Sequence, residues 1–244
     1  MLIAGKVKND IRIAVIGNYL PRPCGIATFT TDVSQSLAIE LTKEENLINI
    51  AMDDTPEGYD YPEQVKFKIR QDVHSDYFWA ADYLNTNSFD VAIIQHEYGI
   101  YGGEDGIYIL ELMKSLKMPI MTNLHTVLET PTKGQMQVMQ GIAKYSDRIT
   151  VMSKKAIEIL TRVYNIPTEM IDYVPHGIPD TSFKNPGIYN SQFSLKNKEI
   201  ILTFGLLGPG KGIEGMIEAM PAIVKENPNV MYLILGKTHP HVLD

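Results

Sequence analysis

Short apolar runs alternate along the chain with amphipathic stretches, and this alternation is the main structural signal in the sequence. Residues 12–17 form a continuous, β-branched run followed by loop residues, the mark of a strand buried on both faces. Further strands are predicted at 47–51, 65–70, 91–95, 120–124, 148–152 and 171–174. Between them, helical spacing predicts helices over 25–41, 74–84, 105–116, 133–145 and 154–164. In the first helix Val33, Leu37 and Leu41 share a stripe, with Phe29 and Ala38 beside it. Ser153 is placed to cap the last of these helices.

Strands that alternate with helices imply a mainly parallel, doubly wound α/β sheet of Rossmann-like type. Ligands of such sheets bind outside the carboxyl ends of the strands, so chemistry is sought in the loops that follow them. From Ile178 the pattern lapses: Pro, Gly, Asn and Ser are frequent and periodicity is lost. It restarts with a strand at 199–204, a glycine-rich loop, a helix at 213–226 and a strand at 230–235. The expected organisation is a first domain at 1–178, a linker at 179–198 and the start of a second Rossmann-like domain at 199–244. One βαβ unit has too few strands for a stable domain, so the chain is expected to be a piece of a longer protein.

Composition changes little in this picture but closes off several functions. Apolar residues make up 44% of the chain and charged ones 21%, which is globular rather than disordered. The net charge of −7 argues against a broad nucleic-acid footprint, and no nucleic-acid partner is expected. An anionic small ligand would need local help from helix N-termini and a few basic side chains. The single cysteine, Cys24, rules out an intrachain disulfide and fits a reducing, cytoplasmic setting. Residues 1–10 do not read as a signal peptide, and no apolar run reaches the length of a membrane span. Peripheral association of a longer protein with a membrane leaves no mark in this sequence.

Four loops carry candidate chemistry. The first follows the first strand and contains Arg22, Cys24 and Gly25; it lacks the triple-glycine dinucleotide fingerprint. Its helix start at Gly25 offers free N–H groups to an oxyanion. The second runs from Gln95 through His96, Glu97 and Tyr98 to Gly102 and Gly103, where aromatic and polar groups would suit a sugar. His96 and Glu97 are adjacent, so on a strand they face opposite ways and cannot easily act on one atom. The third is His125, which ends a buried strand at the ligand-facing edge. The fourth is the loop 204–212, with Gly208, Gly210, Lys211 and Gly212 between a strand and a helix. Backbone N–H groups and one lysine at a helix start are what a diphosphate needs. Gly212 stands where a Walker loop has Ser or Thr. No metal-ligand spacing is convincing, with His239 and His241 the only close pair near the end.

Taken in order, these features resemble the retaining glycosyltransferases of family 4, which adopt the GT-B architecture. The GIATF run at 25–29 looks like the family's glycine-containing loop, with Cys24 and Gly25 where a glycine pair is usual. His125 matches the family's histidine near the donor sugar, and DRITVMS at 147–153 is similar to its strand-and-serine segment. PHGI at 175–178 matches the segment leading into the hinge, where many members have Asn in place of His176. FGLLGPGKG at 204–212 looks like the start of the donor-binding domain, with Lys211 at the diphosphate-contacting lysine. The family's donor motif, two glutamates eight positions apart, is absent: Glu214 and Glu218 are four apart.

The resemblance implies transfer of a sugar from a nucleotide-diphosphate donor to a hydroxyl acceptor, a glycan, with retained configuration. It implies no cofactor and no metal. His125 and Lys211 would be catalytic, and Gly25, Gly208, Gly210 and Gly212 would join Lys211 in holding the donor. Arg22, His96, Glu97, Tyr98, Gly102 and Gly103 would face the acceptor. Two other readings stand beside it. One is a non-catalytic module that binds a glycan or partner. The other is a GT-B nucleotide-sugar epimerase, for which Glu97 is the acid/base candidate.

Overall fold

A computed structural model describes residues 10–178, 181–185, 193, 195 and 197–238. Much of the stretch read as a linker, the two histidines His239 and His241 and the first nine positions lie outside the described residues. The chain divides into two units, Met1–Gly177 and Ile178–Asp244.

The first unit holds a seven-stranded parallel sheet. Its strands are β1 (Ile13–Gly17), β2 (Leu47–Asp53), β3 (Val65–Arg70), β4 (Val91–His96), β5 (Ile120–Leu124), β6 (Arg148–Val151) and β7 (Ile171–Tyr173). They lie in the order β3-β2-β1-β4-β5-β6-β7. The helices are α1 (Gly25–Glu40), α2 (His74–Thr86), α3 (Ile109–Ser115), α4 (Lys133–Tyr145) and α5 (Lys154–Tyr164).

Parallel crossovers are right-handed, so the direction of winding decides which face each helix covers. From β1 to β3 the chain steps outward one way, which puts α1 on one face. From β3 it returns past β1 and steps the other way to β7, which puts α2 to α5 on the opposite face. The core follows this asymmetry. The large cluster joins Ile16, Ile50, Ile94 and Ile149 of the sheet to Tyr77, Leu112, Val138 and Leu160 of α2 to α5. The small cluster joins Ile13, Val15, Leu47 and Ile93 to Leu37 and Leu41 from the end of α1.

Most predicted elements are present, and three differ in extent or in the face they bury. The helix expected from residue 105 begins only at Ile109. Before it a tight turn spans Glu104–Gly106, with Asp105 at φ 54° and Gly106 at φ 81°, a left-handed backbone that no α-helix accommodates. In α1 the expected stripe of Val33, Leu37 and Leu41 is only half-buried. The face pressed on the sheet is Ala27, Thr30, Thr31 and Ser34. Small side chains allow close approach, and their hydroxyls bond at once: Thr30 Oγ1 donates to Ile26 O and Thr31 Oγ1 to Ala27 O, both at 2.8 Å. Strand β2 also runs on to Asp53, paired with Arg70, where loop was expected.

The second unit has β8 (Glu199–Phe204), α6 (Ile213–Glu226) and β9 (Val230–Leu235). The two strands are parallel, in register from Glu199 with Val230 to Phe204 with Leu235. Leu202, Phe204 and Leu235 are exposed. No helix among the described residues is long and apolar enough to cross a membrane.

The central strand β4 should dominate stability. Ile94 is fully buried between α-helices and neighbouring strands. Ile94→Ala is expected to destabilise the first unit by about 2–5 kcal/mol through lost burial and the cavity left behind. Urea unfolding should show a lower midpoint with an unchanged slope.

Candidate functional site

Polar residues end three adjacent buried strands at the same height. Gln95 pairs in register with Asn123, and Asn123 with Thr150. All three are buried, so each polar group must find a partner within the protein. Thr150 Oγ1 donates to Asn123 Oδ1 at 2.9 Å, and Asn123 Nδ2 donates to Gln95 Oε1 at 2.9 Å. Room for the Gln95 side chain comes from Gly17 on β1, where an added Cβ would stand 2.9 Å from Gln95 Cβ. Gly17 is therefore a packing requirement of the site.

His125 completes this ladder. Its Nε2 lies 2.9 Å from Gln95 Oε1, and its backbone N–H donates to His96 O at 3.0 Å. Because Gln95 presents an oxygen, the imidazole donates through Nε2 and keeps the Nδ1 lone pair as an acceptor. Phe29 of α1 packs edge-on against the His125 ring at 4.8 Å and against the His176 ring at 5.1 Å. Burial, and then the neighbouring His176, hold His125 down to a pKa of about 4, so the ring is neutral at physiological pH. A neutral, fixed imidazole orients a hydroxyl; it does not supply a proton.

The loop after β1 is capped by its cysteine. Cys24 Sγ accepts from Ala27 N at 3.2 Å and from Asn18 Nδ2 at 3.1 Å, and so caps α1. An added Cβ at Gly25 would meet nothing within 4 Å, which leaves open space at the first turn of α1. Arg22 turns inward. It is buried, donates to Met52 O at 3.0 Å and pairs with Asp54 at 3.1 Å, which ties the β1 loop to the end of β2.

The residues expected on the acceptor side divide into those that face inward and those at the edge. His96 is fully buried between the rings of Tyr98 and Tyr101, with neither ring nitrogen hydrogen-bonded. Burial, with a smaller contribution from His125, lowers its pKa to about 3. Tyr98 is buried as well. Gly102 donates its N–H to Tyr77 Oη at 2.8 Å, and an added Cβ there would stand 2.0 Å from Gln71 O. Gly103 has φ 77°, and a Cβ would press on Tyr108 and Ile107. These positions shape the loop from within. Glu97 stands at the edge, but its oxygens are engaged: Oε1 accepts from Tyr98 N at 2.9 Å and Oε2 from Thr126 Oγ1.

In the second unit, the loop after β8 is held at its base and open at its tip. Gly205 N and Leu207 N donate to Leu235 O at 3.0 Å and Lys237 O at 2.9 Å. Gly208 O accepts from Lys211 N at 3.3 Å. Gly210 at φ 81° and Gly212 at φ 71° turn the chain into α6, and Gly212 caps the helix without a side chain. An added Cβ at Gly210 or Gly212 would meet nothing within 4 Å. The exposed Lys211 thus stands next to free backbone at a helix N-terminus, a setting that attracts phosphate. Among the described residues no three His, Cys, Asp or Glu side chains are grouped to hold a metal ion.

Comparison of the sequence with protein-family models finds no match, and comparison with curated proteins finds none either. Comparison of the structure finds many. HepE from Anabaena, in complex with UDP and glucose, is similar at a TM-score of 0.68 and 11% identity. The likeness covers 96% of this chain and 63% of HepE. A glycosyltransferase from Rickettsia africae is similar at 0.61 and 12% identity, over 94% of this chain and 69% of that one. MnaA from S. aureus, solved with UDP, is similar at 0.56 and 13% identity, over 96% and 65%. The fold is the α/β, Rossmann-like fold of GT-B proteins. The chain spans less than two thirds of the length of HepE and of MnaA.

Spacing along the chain does not connect His125 with the residues that fix it: Gln95 as an anchor, Asn123, Thr150, Phe29 and His176. A readable signal existed, since a polar residue stands one place before the end of each of three largely apolar strands.

Three measurements check this geometry. The His125 ring should titrate by NMR with a midpoint near 4, and a midpoint near 6.5 would contradict the buried, neutral assignment. Both histidines bind their protons more weakly in the folded chain. Stability is therefore full above pH 6.5 and lost as the pH falls toward 4, by up to about 1.4 kcal/mol per pH unit for each. Gly102→Ala should lower the urea midpoint clearly, while Gly99→Ala, where a Cβ meets nothing within 4 Å, should leave it within experimental scatter.

Proposed function

We propose that this chain is the first domain and the start of the donor domain of a retaining glycosyltransferase. It would move a sugar from a nucleoside-diphosphate donor to a hydroxyl acceptor, a glycan, without a metal or cofactor. The observation that carries the reading is the neutral His125 locked by Gln95 at the carboxyl ends of the strands. Its free Nδ1 accepts a hydrogen bond, which suits a sugar hydroxyl. The similarity to structures solved with UDP, glucose or UDP-glucose supports the same class of ligand.

In such a transfer the bond between the anomeric carbon and the diphosphate oxygen breaks, and its electron pair leaves with the diphosphate. The acceptor oxygen forms the new bond to the anomeric carbon, and its proton passes to the departing diphosphate oxygen. Charge therefore grows on the leaving phosphate, and stabilising it lowers the barrier most. Lys211 and the N–H groups that open α6 are suited to that task. Gly210 and Gly212 keep the backbone bare for it. The epimerase reading loses ground here, since both oxygens of Glu97 are already bonded within the protein.

The test uses the full-length protein with UDP-glucose and measures UDP release. Lys211→Ala is expected to lower turnover by about 10²-fold or more, as removal of charge stabilisation does at other leaving groups. His125→Ala should raise KM for the donor and lower kcat by about tenfold. A folded full-length protein that turns over no nucleotide sugar would leave the binding-module reading in its place.

A further inference from the structure

Parallel strands need a crossover, and the usual crossover is a helix. Between β2 and β3 there is none: residues 54–64 connect them as a loop. On the face carried by α1, the space beside that helix is left as a groove of about 830 Å3. It runs from Leu20 and Pro21 along Thr31, Gln35 and Ile39 to Glu44. At the helical rise, Thr31 to Ile39 alone spans about 12 Å, long enough for several linked rings.

The lining constrains the occupant. Asn49 lies at the floor, 1% exposed, and its Oδ1 accepts from Ser34 Oγ at 2.7 Å. That bond leaves Asn49 Nδ2 without any hydrogen-bond partner. A buried amide donor in this position lacks an acceptor, which is unfavourable. Tyr61 forms one wall, its hydroxyl held by Asp53 Oδ1 at 2.8 Å so that the ring position is fixed. Asp60 and Glu44 stand on the rim, and among the described residues lining the groove there is no lysine or arginine.

An occupant must therefore bring an acceptor for Asn49 and donors for the carboxylates, with no negative charge. A phosphate or nucleotide fails on charge. A polyamine satisfies the rim but leaves Asn49 unpaired. A hydroxyl group both donates and accepts, and apolar sugar faces pack on aromatic rings. We infer that the groove between α1 and the β2–β3 loop is a binding site for a short neutral saccharide, separate from the site at His125. The inference does not depend on the transfer reaction.

The test is titration of the full chain with maltotriose, cellotriose and chitotriose, read by saturation-transfer NMR and calorimetry, with spermidine and UDP in parallel. At least one trisaccharide should bind with a Kd in the millimolar range or tighter, and UDP should not compete. Asn49→Asp keeps the acceptor for Ser34 and removes the donor, so affinity should fall at least tenfold. Gln35→Ala, at an exposed helix position, should weaken binding severalfold and decides the matter if the Asn49 variant does not fold. The inference is overturned if no trisaccharide binds, if spermidine alone binds, or if binding is unchanged in the folded variants.

Discussion

The amide of Gln95 is buried at the carboxyl end of the central strand, and burial obliges it to be hydrogen-bonded. Much of the candidate site follows from that obligation. The side chain occupies space that only a glycine at position 17 leaves free. Its oxygen collects one hydrogen bond from Asn123 and one from His125, and Asn123 is in turn fixed by Thr150. Removal of any one partner would leave a buried polar group unpaired, which is more destabilising than the hydrogen bond is stabilising. The ladder is therefore rigid. Its last member is a histidine whose tautomer and ring plane are set from behind, with Phe29 closing one side.

The direction of the winding explains where the remaining space lies. Among the described residues of the first unit, four helices share one face of the sheet and α1 alone lies on the other. The crowded face can bury His96, Tyr98 and Tyr101 deeply, because α2 and α3 close over them. The sparse face keeps an open slot beside α1, since the β2–β3 connection supplies no helix. Arg22 keeps the neighbouring loops in place around that slot. It bonds Met52 O and pairs with Asp54, whose other oxygen accepts from Tyr59 at 2.8 Å. Burial raises the pKa of Asp53 beside them, while the Tyr61 hydroxyl bond opposes the rise.

The fold was legible in the sequence wherever one periodicity dominated. Residues 120–124, 133–145, 154–164, 199–204, 213–226 and 230–235 form the elements expected of them, and Ser153 caps α5 by accepting from Lys155 N. Legibility failed where local rules competed with contacts. Near Asp105 the helical spacing of the apolar residues masks a turn signal, the Asp105-Gly106 pair, which takes a left-handed backbone with Gly106 too close to Tyr98 O for a side chain. The buried face of α1 was missed because it is built from threonine and serine, which a hydrophobic pattern cannot count. His125 was found as a strand-end histidine. The residues that make it neutral and fixed come from α1, β4, β6 and the segment after β7, a juxtaposition that spacing along the chain does not encode.

The second loop shows most sharply how position and chemistry part company. Histidine, tyrosine and paired glycines at a strand end read as a ligand surface, and in the fold most of them turn toward the core. Their spacing is nonetheless not idle. Tyr77 accepts from Gly102 N and donates to Gln71 O, Tyr101 donates to Gln95 O, and His125 N donates to His96 O. The backbone carbonyls of the anchor Gln95 and of His96 beside it are thus held by Tyr101 of this loop and by His125 N. Substitutions there would act on the site through the position of Gln95 and His125, so a loss of function from them would be evidence about support and not about contact with a ligand.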